Sequence, residues 1–126
     1  MAKRIQFGST GGPEVLEFVD FEPRQPGPQE IRVSNHAVGV NYIDNYFRSG
    51  LYPTPQLPSG LGTEAAGVVK AVGSEVDGFK VGDRVAYAGG PLGAYSDLHV
   101  LPAAMAVHLP QSISFEQAAA VMLKGL

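Results

Sequence analysis

Residues 60–85 read GLGTEAAGVVKAVGSEVDGFKVGDRV, a strand pattern that is interrupted by glycines. Alanine and valine dominate the segment from Ala65 to Val76, which is typical of a buried β-strand. The interrupting glycines are Gly62, Gly67, Gly73, Gly78 and Gly82. Glycines at such intervals mark places where the backbone turns or another segment approaches it closely. The stretch therefore predicts a curled β unit around which the rest of the chain is arranged.

The overall composition indicates one mainly β domain. With 126 residues the chain is long enough for a single core, and it can bury roughly two thirds of its unfolded surface. Hydrophobic residues make up 44% and charged residues 17%, an ordinary balance for a globular domain. The 16 glycines and 10 prolines are spread along the chain, which favours many turns between short strands.

Charge and cysteine content exclude several classes of function. The formal net charge is −3 with no basic run, so neither nucleic acid nor an anionic membrane surface is an expected partner. No apolar run is long enough to span a bilayer and no signal-peptide pattern is present, so we expect a cytoplasmic protein. The absence of cysteine excludes disulfides, thiolate zinc sites and cysteine nucleophiles.

Alternating segments outside the central stretch predict further strands. Residues 3–7 are expected to form an edge strand, and residues 15–21 to pair with it as a hairpin. Residues 94–100 are expected to pair with residues 84–88 and to close the meander. The remaining predicted strands are residues 30–41 and residues 106–109. Residues 51–62 contain three prolines and are expected to form an irregular loop, a kind of segment that often carries sites.

Two helices are predicted between and after these strands. The first follows Asn41 as its N-terminal cap and ends at Gly50. The second spans residues 112–126, with Ser114 and Gln117 placed as a capping box. This second helix is apolar on nearly every side, which is typical of a helix buried between two layers. We therefore expect it either to dock on the β structure or to lead into a second domain that follows Leu126.

Five segments together carry a family resemblance: GGPEVLEF, NYIDNYFRSGLYP, LPSGLGTEAAGVV, VGDRVAY and GAYSDLHVLPA. The chain resembles the N-terminal, GroES-like domain of the medium-chain dehydrogenase/reductase superfamily, and within it the zinc-free quinone oxidoreductases and ζ-crystallins. The resemblance implies a GroES-like, partly open β-barrel with short helices over residues 1–126. It also implies that this substrate-side domain is truncated before a Rossmann nucleotide-binding domain, since the chain has no GxGxxG turn between a strand and a helix.

The metal chemistry of the chain is predicted to differ from that of zinc alcohol dehydrogenases. The resemblance places Asn41 and Thr63 where the zinc enzymes have a cysteine and a histidine, so no zinc is expected. A catalytic zinc needs three converging donors, and the three histidines fall in different predicted strands. Those histidines are His36, His99 and His108. Glu64 remains either a ligand or a buried carboxylate that bonds to main chain or to an arginine.

The implied activity is hydride transfer from NADPH to a small quinone. A quinone ring is already electron-poor, so hydrogen-bond donors can stabilise the product without a metal. The resemblance assigns catalytic roles to Asn41, Tyr46 and Tyr52. It assigns cofactor contacts to Asn41, Tyr42, Ile43, Asp44, Asn45, Tyr46 and Arg48. NADPH itself is expected to be held mainly by the missing domain, and the isolated fragment to be inactive.

Several alternatives stay open. Asn41 could act solely as a helix cap, and the two tyrosines could belong to the core. Asp44 and Arg48 could form a surface ion pair across one helical turn. For the whole protein, the alternatives are a zinc-free enoyl or enal reductase and a non-catalytic GroES-like interaction module. A homodimer through the missing domain is the expected assembly.

Overall fold

The computed structural model describes residues 2–54 and 56–125 and is mainly β, as predicted. Its strands are β1 (Ala2–Phe7), β2 (Leu16–Phe21), β3 (Glu30–Gly39), β4 (Ser59–Gly60), β5 (Glu64–Val72), β6 (Arg84–Ala88), β7 (Leu98–Pro102) and β8 (Ala106–His108). Its helices are α1 (Tyr42–Ser49) and α2 (Phe115–Gly125), and short 3-10 turns stand at Pro13–Val15 and Ala103–Met105. Within these residues no helix has the length and apolar content that crossing a membrane requires.

The smaller sheet has three strands in the order β2-β1-β4. The predicted hairpin is confirmed, since β1 and β2 pair antiparallel from Ala2 opposite Phe21 to Phe7 opposite Leu16. The prediction that β1 is an edge strand is wrong, because β4 pairs with its other side through Ser59 and Gly60. The surrounding prolines gave no sign of a strand at these two residues. The strand forms because β1 supplies the hydrogen-bonding partners.

The larger sheet has five strands in the order β7-β3-β5-β6-β8, and all neighbours are antiparallel. The central stretch forms its middle, with β5 between β3 and β6, which confirms the predicted β unit. In the described ranges β7 and β8 are the two edges of this sheet, so it stays partly open. Register shifts in the β3–β5 pair, on both sides of residues 33–35, bend the ladder there.

The predicted pairing of residues 94–100 with β6 is wrong. The strand there, β7, begins at Leu98 and pairs with β3, while β8 lies beside β6. The residues before Leu98 bond to a side chain of β3 and not to β6. The Asn35 amide donates to the carbonyls of Ala94 and Ser96 at 3.0 Å each. The chain therefore crosses the sheet between β6 and β7 and does not turn back as a hairpin.

The core lies on the inner face of the five-stranded sheet. Its largest fully buried members come from β3, β5, β6 and β7: Ile31, Val33, Val69, Val85, Tyr87 and Leu101. Each buried aliphatic side chain of this kind contributes about 1.5–3 kcal/mol to the free energy of unfolding. The one polar group in this set, the Tyr87 hydroxyl, donates to Asn35 Oδ1 at 2.9 Å.

Helix α2 docks on the sheet with one face. The predicted capping box is confirmed, since Gln117 N donates to Ser114 Oγ at 3.0 Å and Ser114 N to Gln117 Oε1 at 2.9 Å. Ala118 and Ala119 are buried, and the helix lies against β3, β5 and β6. Docking on the β structure, one of the two expected outcomes, is therefore confirmed, while Val121 on the described part of the helix is 57% exposed. The side chains of residues 123–126 lie outside the described residues.

Candidate active site

The turn from β3 into α1 places Asn41 at the centre of the candidate site. Asn41 is the N-terminal cap, as predicted, with extended backbone angles of φ −130° and ψ 156°. Its N–H donates to Asp44 Oδ2 at 3.0 Å, which satisfies the first turn of the helix. The predicted end is also confirmed, because Gly50 adopts the left-handed conformation and its N–H donates to the Phe47 carbonyl.

The side-chain amide of Asn41 is bonded to the carboxylate of Glu64. Nδ2 donates to Oε1 at 2.8 Å, and the two side chains are 8% and 2% exposed. The expected buried carboxylate is confirmed, but this amide partner was not predicted. Glu64 opens β5 directly opposite Gly39, where an added Cβ would overlap its carboxylate and the carbonyl oxygen of Ala119. The glycine thus makes room for a charged group between the sheet and α2.

A cavity of about 350 Å³ lies beside this pair. The end of β3 bounds it together with Asn41 and Glu64, and α2 adds Glu116, Ala119 and Ala120. Two carboxylates in its wall make the cavity unfavourable for phosphate groups. A neutral or cationic group is electrostatically better suited to these surroundings than an anionic one.

Tyr46 and Tyr52 contact each other at a separate place. Their ring centroids are 5.3 Å apart in an edge-to-face arrangement, and Tyr52 N donates to the Tyr46 carbonyl at 3.1 Å. They are 38% and 43% exposed, so the alternative of two core tyrosines is wrong. Among the described residues, however, neither ring lines the cavity beside Asn41. The structure therefore groups the tyrosines with each other but does not bring them into the cavity that Asn41 lines.

The alternative of a surface ion pair between Asp44 and Arg48 is wrong. Asp44 is 2% exposed, and its Oδ2 accepts hydrogen bonds from Asn41 N and from the Tyr95 hydroxyl. Arg48 turns the other way, donating from Nε to the Gly11 carbonyl at 3.2 Å. The Asp44 side chain points inward because its carboxylate accepts the Asn41 N–H at the start of the helix. Of the other predicted cofactor residues, Tyr42 and Asn45 are exposed and Ile43 is half-buried.

Tyr95 is a site residue that the sequence did not single out. It lies between β6 and β7, and its hydroxyl reaches Asp44 across 51 residues of sequence. Burial raises the pKa of Tyr95 well above its ordinary value, and the Asp44 carboxylate adds to that shift. The hydroxyl therefore stays protonated and acts as a donor. No local spacing signals this contact, because the fold alone brings the two segments together.

The three histidines lie in three strands, as predicted: His36 in β3, His99 in β7 and His108 in β8. Across the described ranges, no three His, Cys, Asp or Glu side chains converge into a group that could hold a metal ion. His99 is buried, and its Nε2 lies 3.2 Å from the Pro91 carbonyl. Burial lowers the pKa of His99 to about 4, so this imidazole is neutral near pH 7.

Comparison with known proteins identifies the family. The model of the alcohol dehydrogenase GroES-like domain matches residues 27–111, which is more than half of the chain. The chain belongs to this GroES-like family. The family match confirms the resemblance to a GroES-like domain that the sequence segments indicated. The mainly β structure described above agrees with it.

Several relatives with high identity to this chain are named quinone oxidoreductases. The chain is 71% identical to the quinone oxidoreductase of Pseudomonas aeruginosa over 126 residues, covering 100% of the chain and 39% of that protein. The crystal structure of the Pseudomonas syringae pv. Tomato DC3000 quinone oxidoreductase matches 99% of the chain and 38% of its own, with 71% identity and a TM-score of 0.98. The structure of Escherichia coli quinone oxidoreductase complexed with NADPH matches 98% and 38%, with 60% identity and a TM-score of 0.96. The chain thus spans about 38–39% of the length of these relatives.

Proposed function

We propose that this chain is the substrate-side domain of an NADPH-dependent quinone oxidoreductase that works without zinc. The observation that carries the proposal is the hydrogen bond between Asn41 and Glu64 beside the 350 Å³ cavity. Zinc prefers thiolate, imidazole and carboxylate donors, and a neutral amide at Asn41 is none of these. The same amide is well suited to orient a polar carbonyl group.

NADPH fits this chain at its nicotinamide end. We place the neutral end of the cofactor in the cavity beside Asn41, because the carboxylates of Glu64 and Glu116 oppose phosphate. We therefore assign the phosphates to a nucleotide-binding domain after Leu126, where a glycine-rich turn at a helix N-terminus would hold them. The NADPH complex of the Escherichia coli relative supports the choice of cofactor.

The proposed cofactor contacts differ in exposure and fall into exposed, half-buried and buried residues. Tyr42 is 76% exposed, and Asn45 and Tyr46 are also on the surface, so these side chains are open to a ligand. Ile43 and Arg48 are half-buried and offer part of their side chains. Asp44 is buried, so its proposed role is to hold Asn41 in place and not to touch the cofactor.

The proposed reaction adds one hydride and one proton to the quinone, giving a hydroquinone. Bound NADPH supplies the hydride. Asn41 orients the substrate carbonyl with the amide hydrogen that Glu64 does not use. The hydroxyls of Tyr46 and Tyr52 donate hydrogen bonds to the oxygen that gains negative charge, and solvent completes the protonation. Because the charge is delocalised over the ring, these donors suffice without a Lewis acid.

Substitution of the proposed donors tests this function in the full-length protein. Asn41→Ala and Tyr46→Phe should each lower kcat for quinone reduction by about 10–100-fold, since each removes a donor to the transition state. The Kd for NADPH should change by less than about threefold, because most of the cofactor is bound elsewhere. Steady-state kinetics and fluorescence titration with NADPH measure the two effects. Normal quinone turnover in both variants would contradict the site assignment.

Two further measurements separate the competing functions. Elemental analysis of the purified protein should find no stoichiometric zinc, and zinc at one equivalent per chain would overturn the metal-free mechanism. Turnover of quinones should exceed that of α,β-unsaturated aldehydes. The reverse order would establish an enal reductase, and no turnover of either would favour the interaction module.

The proposed assembly is a cytoplasmic homodimer. The chain has no cysteine, which agrees with a reducing compartment, and it carries no basic run that would draw it to nucleic acid. The dimer contact is assigned to the domain after Leu126. Light scattering of the full-length protein tests the assembly, and a monomer at micromolar concentration would contradict it.

A further inference from the structure

Tyr95 connects the two segments that carry Asn41 and Glu64. On one side, its hydroxyl donates to Asp44 Oδ2, the same oxygen that accepts the Asn41 N–H at 3.0 Å. On the other side, its ring lies against Gly62, two residues before Glu64. One side chain therefore links the helix that Asn41 caps with the segment just before Glu64.

The segment at Gly62 is tied closely to the segment that carries Tyr95. Gly93 N and Ala94 N both donate to the Gly62 carbonyl at 3.0 Å, and Tyr95 N donates to the Leu61 carbonyl at 2.9 Å. Gly62 has φ +92°, and an added Cβ there would overlap the Tyr95 ring. The ring and the backbone before Glu64 thus form one rigid unit.

The Tyr95 hydroxyl supplies one of the two hydrogen bonds that hold the Asp44 carboxylate in its buried position. Asp44 is buried, and within the described residues its Oδ1 has no hydrogen-bond partner. Both described bonds fall on Oδ2, one from Tyr95 and one from Asn41 N. Removal of the hydroxyl would leave a buried carboxylate with the Asn41 N–H alone. We expect such a carboxylate to move toward water and to draw Asn41 with it.

We propose that Tyr95 is a positioning residue, which sets the orientation of the Asn41 amide against Glu64 by holding Asp44 and Gly62 at the same time. The inference rests on the proposed function, in which that amide orients the substrate carbonyl. A displacement of about 1 Å in such a group can cost on the order of a hundredfold in rate. Tyr95 acts through Asp44 and touches neither substrate nor cofactor.

Kinetics of Tyr95→Phe in the full-length protein test the proposal. The variant keeps the ring on Gly62 and loses only the hydroxyl, so kcat for quinone reduction should fall by about tenfold while KM for NADPH stays within about twofold. Tyr87→Phe is the matched control, because it removes another hydroxyl bond, at 2.9 Å to Asn35. That control should keep kcat within about twofold. An unchanged kcat in Tyr95→Phe, or equal losses in both variants, would overturn the proposal.

A second measurement does not depend on activity. Hydrogen exchange of the Asn41 side-chain amide, followed by NMR, should be slow in the wild type and at least about tenfold faster in Tyr95→Phe. Tyr87→Phe should leave it unchanged. If exchange responds in this way while the wild type reduces no quinone, the proposed function fails and the positioning role stands. If exchange does not respond, the positioning role is wrong whatever the activity.

Asp44→Asn provides a second variant in case Tyr95→Phe folds poorly. It should accelerate exchange at the Asn41 amide to a similar extent, because it replaces the charged acceptor that Tyr95 and Asn41 share. The double variant should show no further increase, since both changes break the same link. Fully additive effects would mean that the two residues act independently and would refute the link.

Discussion

Burial decides the chemistry of individual side chains in this domain. Glu64 and Asp44 are each 2% exposed, and both carry hydrogen bonds that connect them to Asn41. Asn41 consequently has its main-chain N–H and its side-chain amide bonded to two different carboxylates. An unbonded asparagine would rotate freely, whereas this one is fixed at two points.

Local sequence patterns predict some features of these side chains and miss others. The cap at Asn41 and the burial of Glu64 follow from local pattern and from the position of the glutamate in an apolar strand. The bond between them does not, because it joins residues 23 positions apart. The Asp44–Arg48 ion pair, an alternative that the helix spacing left open, is not formed, since the helix cap uses the same carboxylate.

His99 gives a prediction about pH. Burial lowers its pKa to about 4 from an ordinary 6.5, the nearby Arg24 charge adds to the effect, and the bond to Pro91 opposes it. Between these values the unfolded chain binds a proton that the folded chain rejects, so stability is fully present above pH 6.5 and falls toward pH 4. The loss should amount to about 3 kcal/mol.

The variant His99→Gln tests this effect, because glutamine can keep a donor for the Pro91 carbonyl but does not titrate. Urea unfolding followed by circular dichroism should show a smaller loss of stability between pH 6.5 and pH 4 than the wild type. Between pH 7 and pH 8 the two proteins should have the same slope. Equal slopes over the acidic range would show that His99 does not carry the effect.

At the scale of elements, close approach of strands explains the glycines of the central stretch. Gly67 lies in β5 opposite Asn35, beside the register shift in β3. An added Cβ would overlap the carbonyl group of Ser34. The glycine pattern therefore predicted correctly that another backbone comes near, although it did not identify which one.

Gly67→Ala should destabilise the pairing of β5 with β3. The overlap is with main chain and cannot be relieved by a side-chain rotation, so we expect the free energy of unfolding to fall by about 3 kcal/mol. Gly8→Ala is the matched control, since a Cβ there meets no atom within 4 Å. It should change stability by less than about 1 kcal/mol. Thermal or urea unfolding measures both, and equal stability of the two variants would contradict the prediction.

Helix α2 is attached to the sheet in two ways. Ala118 and Ala119 pack against the strands, and the segment before the helix is hydrogen-bonded to Arg84. The Arg84 guanidinium donates to the carbonyls of Pro110 and Ile113 at 2.7 and 2.9 Å and lies 4.4 Å from the Phe115 ring centroid. Asp83, the neighbour of Arg84 in the sequence, accepts a hydrogen bond from Lys80 N. Neighbours in a strand point to opposite faces, so adjacent charges there seldom meet.

At the scale of the whole molecule, the candidate site lies where β3, β5 and both helices meet. The cavity at Asn41 is bounded on one side by α2, and part of that helix, including Val121, remains exposed. The proposed donors Tyr46 and Tyr52 lie outside this cavity. A complete cleft on the proposed scheme therefore includes the domain that follows Leu126.

This arrangement predicts that cofactor binding depends on that following domain. Residues 1–126 alone should bind NADPH at least about a hundredfold more weakly than the full-length protein, because phosphate recognition is absent from the acidic cavity. Isothermal titration calorimetry on both proteins measures the difference. Comparable affinities would show that this chain holds the phosphates itself and would refute the division of roles.

Local sequence patterns were enough to predict the mainly β class, most of the strand segments, the helix ends at Asn41 and Gly50, and the capping box at Ser114, because each depends on residues within a few positions of one another. Only the tertiary structure decided which strands pair, why β1 is central in its sheet, and how Tyr95 reaches Asp44. Those features depend on contacts between residues far apart in the chain, and local propensity carries no information about which distant partner supplies a hydrogen bond.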